Sequence, residues 1–368
     1  MNSLILKLKA YKSFFIVYVP VASIVFVTAF LMLVYPHTAA DGIRNGLSLC
    51  LETVIPSLFP FMFAVTLIYD IGCFSFFAVG GEKITSLLFR LPGVALPIML
   101  MSFTGGFPVG ASLIEKAYED GKLTSSQACR MLLFCVNPGP AFTVSVIGSS
   151  IIGSVRAGAV IYFSVTASSL ILALISRFFA EDEIVISRKN EVRIPSVNAS
   201  LLTDVITKCT VSMAGICVCI LVFCCISSLL QVLIPDGDFC MFFSMLSEVT
   251  NGAVVASDNF SLPAVSAITS FAGFCVHFQV LPVIIKLRLK YRIFLAVRII
   301  SAALSGVITA FLSSVLPQYC SVVSLGIKPE TASLDVSLPV CVWLMVMCGL
   351  FLVGDNYVVS KKLLKNKA

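Results

Sequence analysis

Charged residues are scarce in this chain: Asp, Glu, Lys and Arg make up 12% of its 368 residues, where an ordinary soluble domain carries about 25%. Hydrophobic residues reach 58%, with a mean hydropathy of +1.03. No soluble core could hide that much apolar surface, which excludes the soluble classes. Catalytic motifs are missing too. There is no His-Glu-x-x-His, no Gly-x-Ser-x-Gly and no carboxylate cluster able to hold a metal, so neither an enzyme nor a metal centre is expected. A phosphate-binding loop with Lys-Ser or Lys-Thr is absent, so any transport would be secondary or facilitated, and no cofactor is expected. Only two histidines occur, and the 14 cysteines lack the spacing and His partners of a zinc site. They fall mostly in apolar segments, as small buried thiols.

What the chain does have is long apolar runs. No charge interrupts Lys12 to His37, Ala157 to Ser176, Cys209 to Pro235, Ile299 to Ile327 or Val336 to Gly354. A bilayer crossing needs about 20 such residues in a helix that satisfies its own backbone. Thr53 to Tyr69 supplies a sixth candidate. The runs are continuous, which excludes an outer-membrane barrel built from strands of about ten alternating residues. The first run is too long for a signal-peptide core and reads as an uncleaved helix behind Lys7, Lys9 and Lys12.

Basic clusters set the orientation. They occur at the N-terminus, at Arg177, Arg188, Lys189, Arg193 and Lys208, at Lys286, Arg288, Lys290 and Arg292, and at Lys361, Lys362, Lys365 and Lys367. All four belong on the cytoplasmic side of a cell inner membrane, with both termini inside. The loops at Pro235 to Cys240 and Pro317 to Val336, poor in Lys and Arg, belong outside. The net charge of +6 is then explained by headgroup anchoring rather than nucleic-acid binding.

With those sides assigned, residues 93 to 156 must run from inside to outside and residues 241 to 285 from outside to inside, and each is too long for one crossing. A re-entrant hairpin followed by one interrupted helix accommodates each. The expected fold is an all-α polytopic membrane protein of about eight crossings or more, with two inverted-topology repeats. The expected division is an N-terminal helix (1–39), a first repeat (40–178), a charged cytoplasmic loop (179–203), a second repeat (204–316) and a final helix with a basic tail (317–368). Thr104-Gly105-Gly106-Phe107-Pro108 pairs with the run beginning Thr250-Asn251-Gly252. Cys135 to Pro140 lies at a place comparable to Gly273 to Gln279.

Inverted repeats with broken helices point to a secondary transporter whose site lies where the helices stop. A broken helix offers free N–H groups and a positive dipole end to an anion. The candidate substrate residues are Thr104, Gly105, Gly106, Pro108, Asn137 and Gly139 in the first repeat, and Glu248, Asn251, His277 and Gln279 in the second. Asn137-Pro138-Gly139-Pro140 must break a helix. Polar groups such as Glu248 and His277 are costly at bilayer depth, where they are paired, pore-lining or functional, and His277 could serve a proton-coupled gate or simply bond a carbonyl. The expected partners are the bilayer, a small anion and a coupling ion of unspecified identity; homo-oligomerisation stays open.

At Ser102 to Ala111, Leu123 to Ala128, Phe134 to Pro140 and Leu246 to Gly252 the chain resembles the sporulation integral membrane proteins of the YlbJ type, which carry nucleoside-recognition (Gate) domains. Phe107 stands where Tyr would be commoner. The resemblance implies a protein needed in sporulation that moves dipicolinic acid across the outer forespore membrane. Nucleoside transport, or a non-transporting role in spore-envelope assembly, are its alternatives.

Overall fold

The computed structural model describes residues 23, 25–72, 74–180, 199–234 and 238–315. Among them every regular element is helical. Five segments are long and apolar enough to cross a bilayer: Pro36–Ile71, Val155–Phe179, Leu201–Leu233, Leu262–Lys286 and Tyr291–Val315. The protein is an integral membrane protein. The expected helix at 336–354, about half of the one at 12–37 and most of the charged loop at 179–203 lie outside the described residues.

Helices α1 (Pro36–Leu49) and α2 (Ile55–Ile71) join through a π-helical turn, Cys50–Val54, into one rod. His37 lies in the first turn of α1. Helix α3 spans Phe74–Phe89. The 36-residue rod is about 54 Å long at 1.5 Å per residue, well beyond the hydrocarbon core. The small residues Gly42 and Gly46 bring its N-terminal half close to Cys224, Cys225 and Ser228 on a later helix, the close approach that substitutes for hydrophobic driving force in lipid.

The two interrupted regions, 93–156 and 241–285, are each built of short helices. Helices α4 (Ala95–Gly105) and α5 (Phe107–Glu119) form a hairpin that turns at Gly106, whose φ of 89° favours glycine. Its arms are antiparallel, since Gly110 packs against Ser102. Helix α6 (Ser125–Phe134) starts with a Thr124/Gln127 capping box. It unwinds through Cys135 to Pro140 and resumes as a π-helix, Ala141–Ile151. After α7 (Val155–Ser176) and α8 (Ala199–Leu233), a second hairpin, α9 (Asp238–Ser247) and α10 (Val249–Asn259), turns at Glu248. A second broken helix is made of α11 (Leu262–Phe271) and α12 (Gly273–Lys286). It breaks at Ala272 and Gly273, with φ 78° and 67°.

The hairpin turns put Gly106 opposite Glu248 and Gly110 opposite Gly252. This is one helical turn away from the sequence pairing of Thr104 with Thr250. Residues four apart share a helix face, so the apolar pattern fits either register.

Helix α13, Tyr291–Val315, starts eight residues before the expected Ile299 and takes Arg292 and Arg298 into the helix; residues 316–327 lie outside the described residues. It joins α7 and α11 through hydroxyls, with Ser301 3.3 Å from Ser168 and 3.0 Å from Ser270, and Ser305 2.6 Å from Ser266. Ser125, at the start of α6, donates to the carbonyl of Leu287, just past α12, at 3.1 Å. Lys286 pairs with Glu115 and Glu119 at the end of α5. The start of α6 therefore lies beside the end of α12, and the two broken helices run in opposite directions. The same end carries Asp70 paired with Lys116 and Lys208, and Tyr69 donating to Asp120 at 2.9 Å.

Candidate functional site

Each hairpin tip meets a helix break, Gly106 at Gly139 and Glu248 at Gly273. A Cβ added at Gly139 would come within 2.7 Å of the Thr104 carbonyl and 3.2 Å of Gly106 N, so only glycine lets the first tip seat. At the second break a Cβ at Gly273 would stand 3.0 Å from Val249 N. Four helix N-termini thereby face one region: α5 after Gly106, the π-helix after Pro140, α10 after Glu248 and α12 after Ala272. Such ends carry partial positive charge and free N–H groups.

Between the tips lies a cavity of about 40 Å³, lined by Gly106, Pro108, Gly139, Glu248, Thr250 and Gln279 and closed by Leu58 of α2 and Ile216 of α8. It is large enough for about one water. Glu248 is 2% exposed. Its Oε2 accepts from Thr250 N at 2.9 Å and Asn251 N at 2.8 Å, so its carboxylate already fills the N-terminus of α10. Gly106, at the equivalent tip, leaves the N-terminus of α5 without a side chain. Beyond Glu248 opens a vestibule of about 400 Å³ between α1, α8 and the second hairpin, lined by Asn45, Ser48, Glu52, Gln231, Ser244 and Asn251 among others, none of them Lys or Arg. That is the size range of small-molecule pockets.

The candidate residues divide into three groups. Gly106, Pro108, Gly139, Glu248 and Gln279 line the small cavity, and Asn251 lines the vestibule. Thr104 turns its hydroxyl back to the Leu100 carbonyl at 3.0 Å, and Gly105 packs on Val109. Both shape the tip. Asn137 and His277 line neither space. Asn137 donates to the Phe134 carbonyl at 2.6 Å and accepts from Ser169 at 2.7 Å. His277 Nε2 lies 3.1 Å from the Phe271 carbonyl, which can only accept, and Nδ1 lies 3.1 Å from the Tyr291 hydroxyl. The ring is therefore the Nε2–H tautomer, enclosed by Phe271, Phe274 and Phe294.

Residues 51–155 match the Gate family model, described as nucleoside recognition. The matched stretch holds the first hairpin and its broken helix; the second hairpin lies outside it. The chain is also similar to the sporulation integral membrane protein YlbJ of Bacillus subtilis (strain 168), at 23% identity covering 76% of this chain and 78% of that protein. No solved structure matches.

Two polar residues behind the Gate tip escaped sequence reasoning. Ser102 donates to the Cys135 carbonyl, tying the hairpin to the unwound segment. Arg298, fully buried, donates from Nη1 to the Val136 carbonyl at 2.6 Å and from Nη2 to the Ser270 carbonyl. The one available signal was an arginine with twenty-nine uncharged residues on its C-terminal side and five on the other, which reads equally well as the end of a span.

Proposed function

We propose that this protein is a secondary or facilitated transporter of a small polar solute, acting in sporulation. It would be a carrier rather than an enzyme, with two inverted repeats that form its site at the hairpin tips. The observation that carries this is the meeting of each tip with a helix break, which brings four helix N-termini around one small cavity. Unwound backbone inside a bilayer is tolerated where it lines a protein or water cavity, and that is where solutes bind in carriers of this plan. The similarity to a sporulation integral membrane protein supports the cellular setting.

The substrate we favour is dipicolinic acid, moved across the outer forespore membrane with both termini on the cytoplasmic side. Its two carboxylates suit the N-termini after Gly106 and Pro140, which no side chain fills. A nucleoside is the second reading, favoured by the Gate description and by a vestibule lined with amides and hydroxyls but no basic residue. The purified full chain in liposomes decides. Dipicolinate uptake above that of empty liposomes supports the first substrate, uridine uptake in its place supports the second, and no flux of either overturns transport in favour of a non-transporting membrane partner. Imposed proton and sodium gradients in the same vesicles identify the coupling ion.

A further inference from the structure

Arg298 stands inside α13, a helix apolar enough to span a bilayer, with none of its surface exposed. A guanidinium at that depth ordinarily has a carboxylate partner or lines water. Among the described residues no ion pair includes it. Its two terminal nitrogens instead go to Val136 O and Ser270 O, carbonyls at the ends of α6 and α11. These are the first halves of the two broken helices. A helix C-terminus carries about half a negative elementary charge, so two such ends match one guanidinium in charge. Geometry agrees, because the rigid planar fork of arginine can hold two carbonyls at once where the single nitrogen of lysine cannot fix both.

We propose that Arg298 is a positioning residue for the solute site. It holds the ends of α6 and α11 at one level, so that the π-helix after Pro140 and helix α12 begin where the hairpin tips reach them. The clamp joins the two broken helices directly, whereas Gly106 packs on the break at Gly139 and Glu248 on the break at Gly273. One turn along α13, Ser301 bonds Ser168 and Ser270, so the arginine sits at the seam of α7, α11 and α13. Its consequence for flux rests on the transport reading; its structural consequence does not.

The test uses the full chain in liposomes carrying Arg298→Met, which keeps length and packing, or Arg298→Lys, which keeps charge. Labelling by a membrane-permeant maleimide is followed peptide by peptide at Cys135 and Cys275, which flank the two breaks, and at Cys209 and Cys225 on α8, all four buried in the parent. Arg298→Met should speed labelling of Cys135 and Cys275 on the order of tenfold by local opening, leaving Cys209 and Cys225 unchanged. Arg298→Lys should free only one of the two breaks. Unchanged protection of both breaks in Arg298→Met, or equal acceleration at all four cysteines, overturns the proposal. Should Arg298→Met fail to accumulate, Arg298→Lys decides alone, equal behaviour of Cys135 and Cys275 counting against the clamp. In the flux assay Arg298→Lys should raise the half-saturating solute concentration at unchanged protein level. Labelling requires no solute, so absence of transport would leave this result standing.

Discussion

The side chain of His277 closes the carbonyl of Phe271, the last residue of α11, and Asn137 does the same for Phe134, the last residue of α6. Two unlike side chains thus perform one task at the two breaks. Each satisfies a carbonyl that the broken helix would otherwise leave unpaired.

Loss of either cap should cost stability before it costs affinity. Asn137→Ala or His277→Ala leaves a buried carbonyl unsatisfied, a penalty of about 1–3 kcal/mol. Thermal unfolding of the purified variants should show a lower midpoint. The half-saturating solute concentration should change less than in Gln279→Ala, since Gln279 lines the cavity. The opposite ranking would place Asn137 and His277 in contact with solute.

Glu248 occupies an anion position with its own carboxylate. Glu248→Gln keeps an oxygen for Thr250 and Asn251 but removes the negative charge, and should tighten binding of dipicolinate relative to uridine. Glu248→Ala also removes the N-cap, a loss of about 1 kcal/mol of helix stability. Competition between the two solutes in liposome uptake measures the first effect, and equal change for both solutes would argue against charge as the cause.

Gly139 admits the first hairpin tip. Gly139→Ala places a methyl within 2.7 Å of Thr104 O, which forces tip and break apart. We expect flux to fall at least tenfold, about 1.4 kcal/mol in barrier terms, with protein still present in the membrane. Normal flux from this variant would remove the tip from the site.

At the polar end of the bundle, burial by itself would raise the Asp120 carboxyl, but hydrogen bonds from Lys122 and Tyr69 together with the nearby charges of Lys122 and Lys116 hold the group below its ordinary value of 3.8. A carboxyl depressed on folding contributes stability above its unfolded value, and that contribution disappears as pH falls through the folded value. Acid unfolding of detergent-solubilised protein should therefore steepen below about pH 4, and Asp120→Asn should flatten that limb. Identical acid limbs in parent and variant would show that Asp120 does not contribute.

Much of the plan was legible in the chain. Gly105-Gly106 and Asn137-Pro138-Gly139-Pro140 mark the hairpin turn and the break of the first region, because glycine and proline act on the backbone locally. Side-chain direction was not legible. Asn137 and His277 stand out as polar residues in apolar surroundings, yet what they face depends on helices far away in sequence. Arg298 is the sharper case. A count of charges along the chain ends the span at Ile299, since such a count has no means of knowing that two broken helix ends wait at that depth to receive a guanidinium.

The sequence by itself determined membrane residence, helical class and the points at which helices must stop, because transfer of apolar surface and backbone hydrogen bonding are properties of short stretches. Only the tertiary structure decided which tip meets which break, that the hairpin equivalence is Gly106 with Glu248, and that Arg298 joins the two halves. Each of these relations brings together groups distant in the chain, and their geometry is set by packing that no local pattern encodes.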